Sequence, residues 1–465
     1  VSLGFAEVIG RQRSFFLTGA TRSLEFRRAQ LARLREGLEA HEAALLGALH
    51  ADLRKSPVDA YATEVGLVMG EIGHARRHLG RWMRPERRGT PWFAWPARGE
   101  VRSEPHGVAL ILGPWNYPCQ LMLSPLVGAL AAGNCAVLKP SEHAPRTAGA
   151  LEQMVKETFP AEVVTVVSGG RETAEALLVE QFDVVFFTGS SGVGRAVMGA
   201  AARHLTPVIL ELGGKSPCLV AADAPLGTSA RRIAWGKFLN AGQTCVAPDH
   251  ILVDRRVAGA LIEALRGAIR AFYGEDPQRS PDYGRIINRA HFDRLTGYLA
   301  EGRIVHGGGR DAADLYLEPT ILADVPPGSK VMREEIFGPI LPVMVCEGMD
   351  EAVAMLRGRP IPLALYLFTR DRGLQERVLA ATQSGGVCVN DTVVHMIGAG
   401  LPFGGQGESG MGAYHGRSGF ESFSHRRPVM RRALGFDPRL RYPPTQLTLA
   451  AMKRALRYLL CQIRG

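Results

Sequence analysis

One thiol in this chain has unusual neighbours. In "NAGQTCVAPD", Asn240 to Asp249, Cys245 stands among small and polar residues. A structural cysteine behaves as a small hydrophobe and hides among apolar side chains. A reactive one needs access and surroundings that favour the thiolate. Three further stretches carry groups that such a nucleophile could use. "GPWNYP" puts Asn116 between Trp115 and Tyr117, where its amide could donate to an oxyanion or stabilise a proline-flanked turn. "ELGGKSP" puts Glu211 before two glycines, as an exposed strand end or as a general base if an apolar cleft raises its pKa. "VVFFTGSSGVGRAV" reads as strand, glycine turn and helix, a geometry that points backbone N–H groups at an anion. Its glycines, Gly189, Gly192 and Gly194, do not match the G-x-G-x-x-G fingerprint, and a plain tight connection fits as well. "LKPSEHAP" closes a strand with Lys139 and Glu142, suited to ribose hydroxyls or to a solvated loop.

The elements that must position these groups follow from periodicity. The first eighty or so residues carry apolar side chains at helical spacing. "RPERRGTPWFAWPARGEVRSEP" then breaks the pattern and predicts a crossing segment with an exposed strand or hairpin. From Gly107 short apolar runs ("GVALIL", "CAVLKP", "VVTVV", "DVVFFTG", "PVILELGG") alternate with helical ones. That pattern predicts a mostly parallel sheet covered on both faces, with ligands beyond the carboxyl ends of its strands. After Gly213 a second alternating series, including "HILVD", "YLEPTIL", "PILPVMVCE", "LALYLFT" and "GGVCVND", predicts a second α/β domain ending near His395. The glycine-rich "LPFGGQGESGMGAYHG" after it reads as tight turns or close backbone approach.

The bulk numbers narrow the class. A chain of 465 residues with 46% hydrophobic and 22% charged content is a globular protein of two or three domains. Its seven cysteines are scattered and never paired as C-x-x-C, which argues against a disulfide framework and a zinc site and for a reducing, cytoplasmic setting. No metal motif is present, the N-terminus shows no secretory signal, and no run is apolar enough to span a bilayer. Nearly all of the net charge of +10 resides in the end of the chain, where Arg426 to Gly465 holds ten Lys/Arg and one acid. Without a nucleic-acid motif, that basicity does not support nucleic-acid binding.

Read in order with "EEIFGPILP" and "PFGGQGESGMG", the runs quoted above resemble the aldehyde dehydrogenase superfamily along nearly the whole chain. The closing "GMGAYHGRSGFESFSHRRP" and "RYPP" are similar to the class 3 branch, which contains the fatty aldehyde dehydrogenases. The resemblance implies an α/β fold. Residues 1–82 and 105–210 would form a Rossmann-like NAD(P)-binding domain, and 211–396 a catalytic α/β domain. Residues 83–104 and 397–445 would form a small β bridging and oligomerisation element, and 446–465 a basic amphipathic tail.

The resemblance also assigns roles. Cys245 would be the nucleophile, Glu211 the general base and Asn116 the oxyanion amide. Lys139 and Glu142 would contact the adenosine ribose, with Gly189, Ser190 and Gly194 in the phosphate turn. Glu335 would hold the nicotinamide ribose, with Phe337 beside the ring. No metal is implied. His395 and His415 have no such role and read as structural. The cofactor implied is NAD, with NADP also accepted, the substrate is an aldehyde, and the assembly is a homodimer. Two rival readings are a coenzyme-A-acylating dehydrogenase and a catalytically silent relative; the intact Glu211, and the full set of three, argue against them. In the tail, Leu449, Met452, Leu456, Leu459, Leu460 and Ile463 recur at helical spacing with Lys453, Arg454, Arg457 and Arg464 between them. This predicts a surface helix that binds anionic membrane or packs on a partner subunit.

Overall fold

A computed structural model describes residues 4–91, 94–437, 442–444 and 448–462, with side chains in the last helix described as far as Arg457. The chain forms two compact units, Val1–Met83 with Ser103–His425 and Arg84–Arg102 with Arg426–Gly465.

In the larger unit, the expected N-terminal helices are Phe5–Leu17, Leu24–Leu53 and Gly66–Trp82. The 30-residue helix Leu24–Leu53 is capped by the Ser23 side chain, which accepts from the Phe26 amide, and buries Leu31, Leu34, Leu38, Leu45, Leu49 and Leu53 along one stripe. A six-stranded sheet follows, in the order Gly410–Met411, Val208–Glu211, Val184–Thr188, Val108–Leu112, Cys135–Lys139, Val164–Val166. The five longer strands are parallel, and those at the centre are buried along their whole length. The strand order reverses between Val108–Leu112 and Val184–Thr188, and the crevice beyond such a reversal is where open α/β sheets bind ligands. Asn116 and Gly189 follow these two strands, and Glu211 ends the next one.

The glycine-rich run after His395 adds a strand rather than only turns. Gly410 pairs antiparallel with Glu211, so this segment closes the edge of the sheet beside the carboxylate.

A seven-stranded sheet forms the second layer system, in the order Arg303–His306, Thr320–Ala323, Ile340–Cys346, His250–Asp254, Pro217–Val220, Ala364–Phe368, Gly386–Val389. All pairs are parallel except that of the first strand. The chain reading missed two of its strands. Pro217–Val220 is short and starts on proline, and Arg303–His306 is an exposed antiparallel edge without an apolar run.

In the smaller unit, Glu86–Arg88 pairs antiparallel with Ala97–Pro105, and Ser424–Arg432 adds a third strand. This is the exposed hairpin expected from the proline-broken segment. The same unit carries the helix Leu449–Gln462. No helix among the described residues is long and apolar enough to cross a membrane.

Candidate active site

Cys245 lies in the loop between helix Leu226–Phe238 and strand His250–Asp254. It therefore comes from the amino end of a strand in one sheet and faces groups at the carboxyl ends of the other. The loop has an uncommon backbone. Asn240, Ala241 and Gly242 are all left-handed, with φ of 52°, 52° and 75°. Such conformations cost energy and persist only where neighbours over-determine them. Here the neighbours are polar and buried. The Asn240 amide donates to the Asn116 carbonyl at 2.8 Å, and Gln243 donates to the carbonyls of Asn240 (3.1 Å) and Arg285 (2.9 Å). Gln243 Oε1 accepts from the Ile287 amide at 3.0 Å. At Gly242 a side chain would strike the Gly338 backbone, so only glycine fits.

The same network orients Asn116. Its Nδ2 donates to the Gln243 carbonyl at 3.0 Å. An amide nitrogen has two N–H groups, so the second is left for a group in the cavity. The nucleophile loop thus sets the amide that faces it.

Cys245, Asn116, Glu211, Gly189, Ser190, Glu335 and Phe337 line one cavity of about 320 Å³. Glu211 is 2% exposed, and neither of its carboxylate oxygens has a hydrogen-bond partner among the described residues. Burial pushes its pKa well above the usual carboxylate range. Glu335 also rises, to about 8, through burial and the nearby Asp249 charge. For Cys245, burial and then the Glu335 and Glu211 charges push the thiol up, against the backbone N–H groups of Cys245 and Val246. Burial is thus the main effect opposing the Cys245 thiolate. The proton has to leave as the sulfur attacks.

Three of the sequence motifs are tied by one ion pair. Lys215 meets Asp249 and donates to the Val331 and Glu334 carbonyls at 2.8 Å each, while Asp249 Oδ1 accepts from the Ile336 amide at 2.9 Å. Burial alone would raise the Asp249 pKa, but Lys215, His250 and Lys237 together outweigh it and hold the group far down. "ELGGKSP", "TCVAPD" and "EEIFGP" are fixed to one another in this way.

Lys139, Glu142 and Gly194 do not line the cavity. Lys139 Nζ bonds Glu142 at 2.7 Å, at the end of strand Cys135–Lys139. Burial opposes ionisation of Glu142, yet the Lys139 bond and charge prevail and lower its pKa. Gly194 packs on Leu212, which does line the cavity; a Cβ there would come within 2.7 Å of the leucine. Ser190 caps helix Ser191–Ala201, whose first turn holds no acid. The helix end, the Glu335 Oε1 atom without a partner and the Lys139–Glu142 pair fit a nucleotide with a pyrophosphate.

Chain reading assigned Phe337 but missed several of its cavity neighbours. Trp115 and His291 join Phe337 in an aromatic wall, with ring centroids 5.0 and 5.3 Å from Trp115. Arg294 holds the Ile336 carbonyl at 2.9 Å. Tyr414 is buried against His415, with centroids 4.1 Å apart, and His415 Nδ1 lies 2.7 Å from Glu71. His415 thus has a structural place behind the site, and His395 packs edge-on against Tyr366. None of these has a local sequence signal, because each reaches the site through tertiary contacts.

On its other side Cys245 opens on a second cavity of about 170 Å³. Thr63, Leu67, Tyr117, Leu121, Trp235, Leu239, Met396 and Ile397 line it, making it chiefly apolar. The thiol sits where the two cavities meet.

Comparison with known proteins gives the family. The family model described as "Aldehyde dehydrogenase family" matches residues 9–429. The chain is 45% identical to the 4,4'-diaponeurosporen-aldehyde dehydrogenase of Staphylococcus aureus, over 93% of this chain and 95% of that protein. It is 46% identical to the dimeric NADP-preferring aldehyde dehydrogenase of Canis lupus familiaris, over 97% and 99%. Among solved structures, the substrate-bound state of Staphylococcus aureus AldH superposes with a TM-score of 0.94 at 43% identity, covering 97% of this chain and 98% of that one. The chain belongs to the aldehyde dehydrogenase family, enzymes that oxidise aldehydes to carboxylic acids with NAD or NADP.

Proposed function

We propose that this protein oxidises a medium or long aliphatic, or an aromatic, aldehyde through a covalent intermediate on Cys245. The observation that carries this reading is the position of the thiol between an apolar cavity and a polar one that holds Glu211, Asn116 and Glu335. The aldehyde would enter by the apolar cavity and bring its carbonyl carbon to the sulfur. The second N–H of Asn116 and the Cys245 backbone N–H would hold the oxyanion; losing one such donor typically costs ~2.7–4 kcal/mol of barrier. When bound, the dinucleotide supplies the hydride acceptor. Glu335 and Phe337 would hold its nicotinamide end, Gly189, Ser190 and Gly194 its phosphates, and Lys139 and Glu142 its adenosine ribose. Glu211 would then take a proton from the water that hydrolyses the thioester. In this reading residues 1–82 and 105–210 bind the dinucleotide and 211–396 carry the catalysis. Kinetics with a chain-length series of aldehydes and both dinucleotides test it. Specificity constants that do not rise with the length of the apolar chain would remove the substrate assignment.

The cofactor preference leans to NAD through Glu142, whose carboxylate would bond ribose hydroxyls and repel a 2′-phosphate. The Glu142→Gln variant should raise the NADP-to-NAD ratio of kcat/KM by about fivefold, the worth of ~1 kcal/mol between charges in water-like surroundings. An unchanged ratio would mean that Glu142 does not face the ribose.

The dimeric canine relative and the three-stranded sheet of the smaller unit support a homodimer bridged by that element. The six described free cysteines support a reducing, cytoplasmic setting.

Helix Leu449–Gln462 supports peripheral association with anionic membrane. Leu449, Met452 and Leu456 are exposed beside Lys453, Arg454 and Arg457. The Leu459 and Leu460 side chains, Ile463 and Arg464 lie outside the described residues. Each basic residue near an anionic surface contributes roughly 1 kcal/mol. Removing residues 446–465 should abolish cosedimentation with anionic vesicles at low salt. Unchanged sedimentation with loss of the dimer would assign the helix to the partner subunit instead.

A further inference from the structure

The largest cavity among those described is not the one at Cys245. It is a cleft of about 610 Å³ on the other side of Gly213 and Glu335, which line both. Four basic side chains line it: Lys215, Arg333, Arg357 and Arg359. Lys215 is committed to Asp249. The three arginines are not committed. None has an ion pair or a side-chain hydrogen bond among the described residues, whereas Arg289, Arg303 and Arg256 elsewhere on the surface each meet an aspartate within 3 Å. Two carboxylates line the cleft, Glu335 and Glu408, and Glu408 is paired with Arg195 at 2.9 Å.

His250 adds an independent sign of a ligand. It is 1% exposed and lines the cleft; Nδ1 faces the Asp249 carboxylate at 3.9 Å, and Nε2 has no partner among the described residues. A buried polar group left without a partner costs free energy that a bound group could recover. Guanidinium forks match phosphate oxygens in pairs. Met332, Val353, Leu356 and Ile361 offer an apolar wall to the body of an organic phosphate. The volume falls within the range of small-molecule sites.

We propose that this cleft binds a phosphate-bearing anion, held by Arg333, Arg357 and Arg359 and reaching His250, beside the cavity at Cys245 and simultaneously with a dinucleotide there. The test is a binding measurement that needs no turnover, so its outcome is separate from the aldehyde reading. Inorganic pyrophosphate is titrated calorimetrically into the full chain saturated with NAD. Saturable binding at equal stoichiometry is expected, weakened about tenfold or more in the Arg357→Gln/Arg359→Gln double variant. Arg333→Gln, a single change at another wall, should weaken it as well. The Arg171→Gln/Arg289→Gln variant removes the same charge elsewhere and should bind normally. No saturable uptake, loss of uptake when NAD is present, or equal weakening in the control variant overturns the proposal. The second of these would give the arginines to the dinucleotide's own phosphates, and the third would reduce the effect to overall charge.

Discussion

Cys245→Ala should abolish aldehyde oxidation, with turnover falling on the order of a thousandfold or more, while dinucleotide affinity stays nearly unchanged. The size of the effect follows from the order of bond changes. Hydride can leave only after the carbonyl carbon has become tetrahedral through its bond to sulfur. An alanine methyl supplies no nucleophile, and none of the other five described thiols lines either cavity at the site. The substitution removes one sulfur from a half-buried position and touches neither the Gln243 network nor the Lys215–Asp249 pair, so the cavity should keep its shape. Steady-state rates and dinucleotide binding by fluorescence titration measure the two halves of the prediction. A variant that retains even a tenth of the turnover would show the nucleophile to be misassigned.

Glu211→Gln should split the reaction in two. Reduced dinucleotide should appear in a stoichiometric burst and then stall, with an acyl group on Cys245 visible by intact mass. The buried side chain has no protein hydrogen bond to lose, and glutamine matches its shape, so the variant should fold. What it lacks is an acceptor for the proton of water. The pH dependence carries a definite sign. Burial raises the Glu211 pKa, so the carboxylate form grows as pH rises, and thioester hydrolysis in the parent enzyme should quicken with it. That limb should vanish in the variant. Disappearance of the burst itself would place Glu211 earlier, as the acceptor of the thiol proton. Burial pushes the Cys245 thiol up, so its proton needs an acceptor as the sulfur attacks.

Much of this molecule was legible along the chain, where the signal is local. A central strand of a parallel sheet is buried on both faces, so it reads as an unbroken apolar run. The runs around Val108, Cys135 and Val184 are such strands, buried along their whole length. Asn116 and Gly189 lie in the turns after the first and third of these, and Glu211 ends the next strand, at the carboxyl ends where open sheets gather their ligands. The short strand Pro217–Val220 escaped, since four residues beginning on proline give no periodicity.

What no periodicity could supply is who faces whom. The sequence by itself determined the fold class, the family and the chemical types at the site, because residue type and spacing along a strand or turn are one-dimensional properties. Only the tertiary structure decided that Gln243, two residues before the thiol, orients the Asn116 amide at 3.0 Å. Only it sets the Gly410 strand against Glu211, and ties three distant motifs through Lys215 and Asp249. Only it shows how strongly the Cys245 thiol is pushed up, because a thiol's pKa depends on desolvation and on charges brought from other segments of the chain.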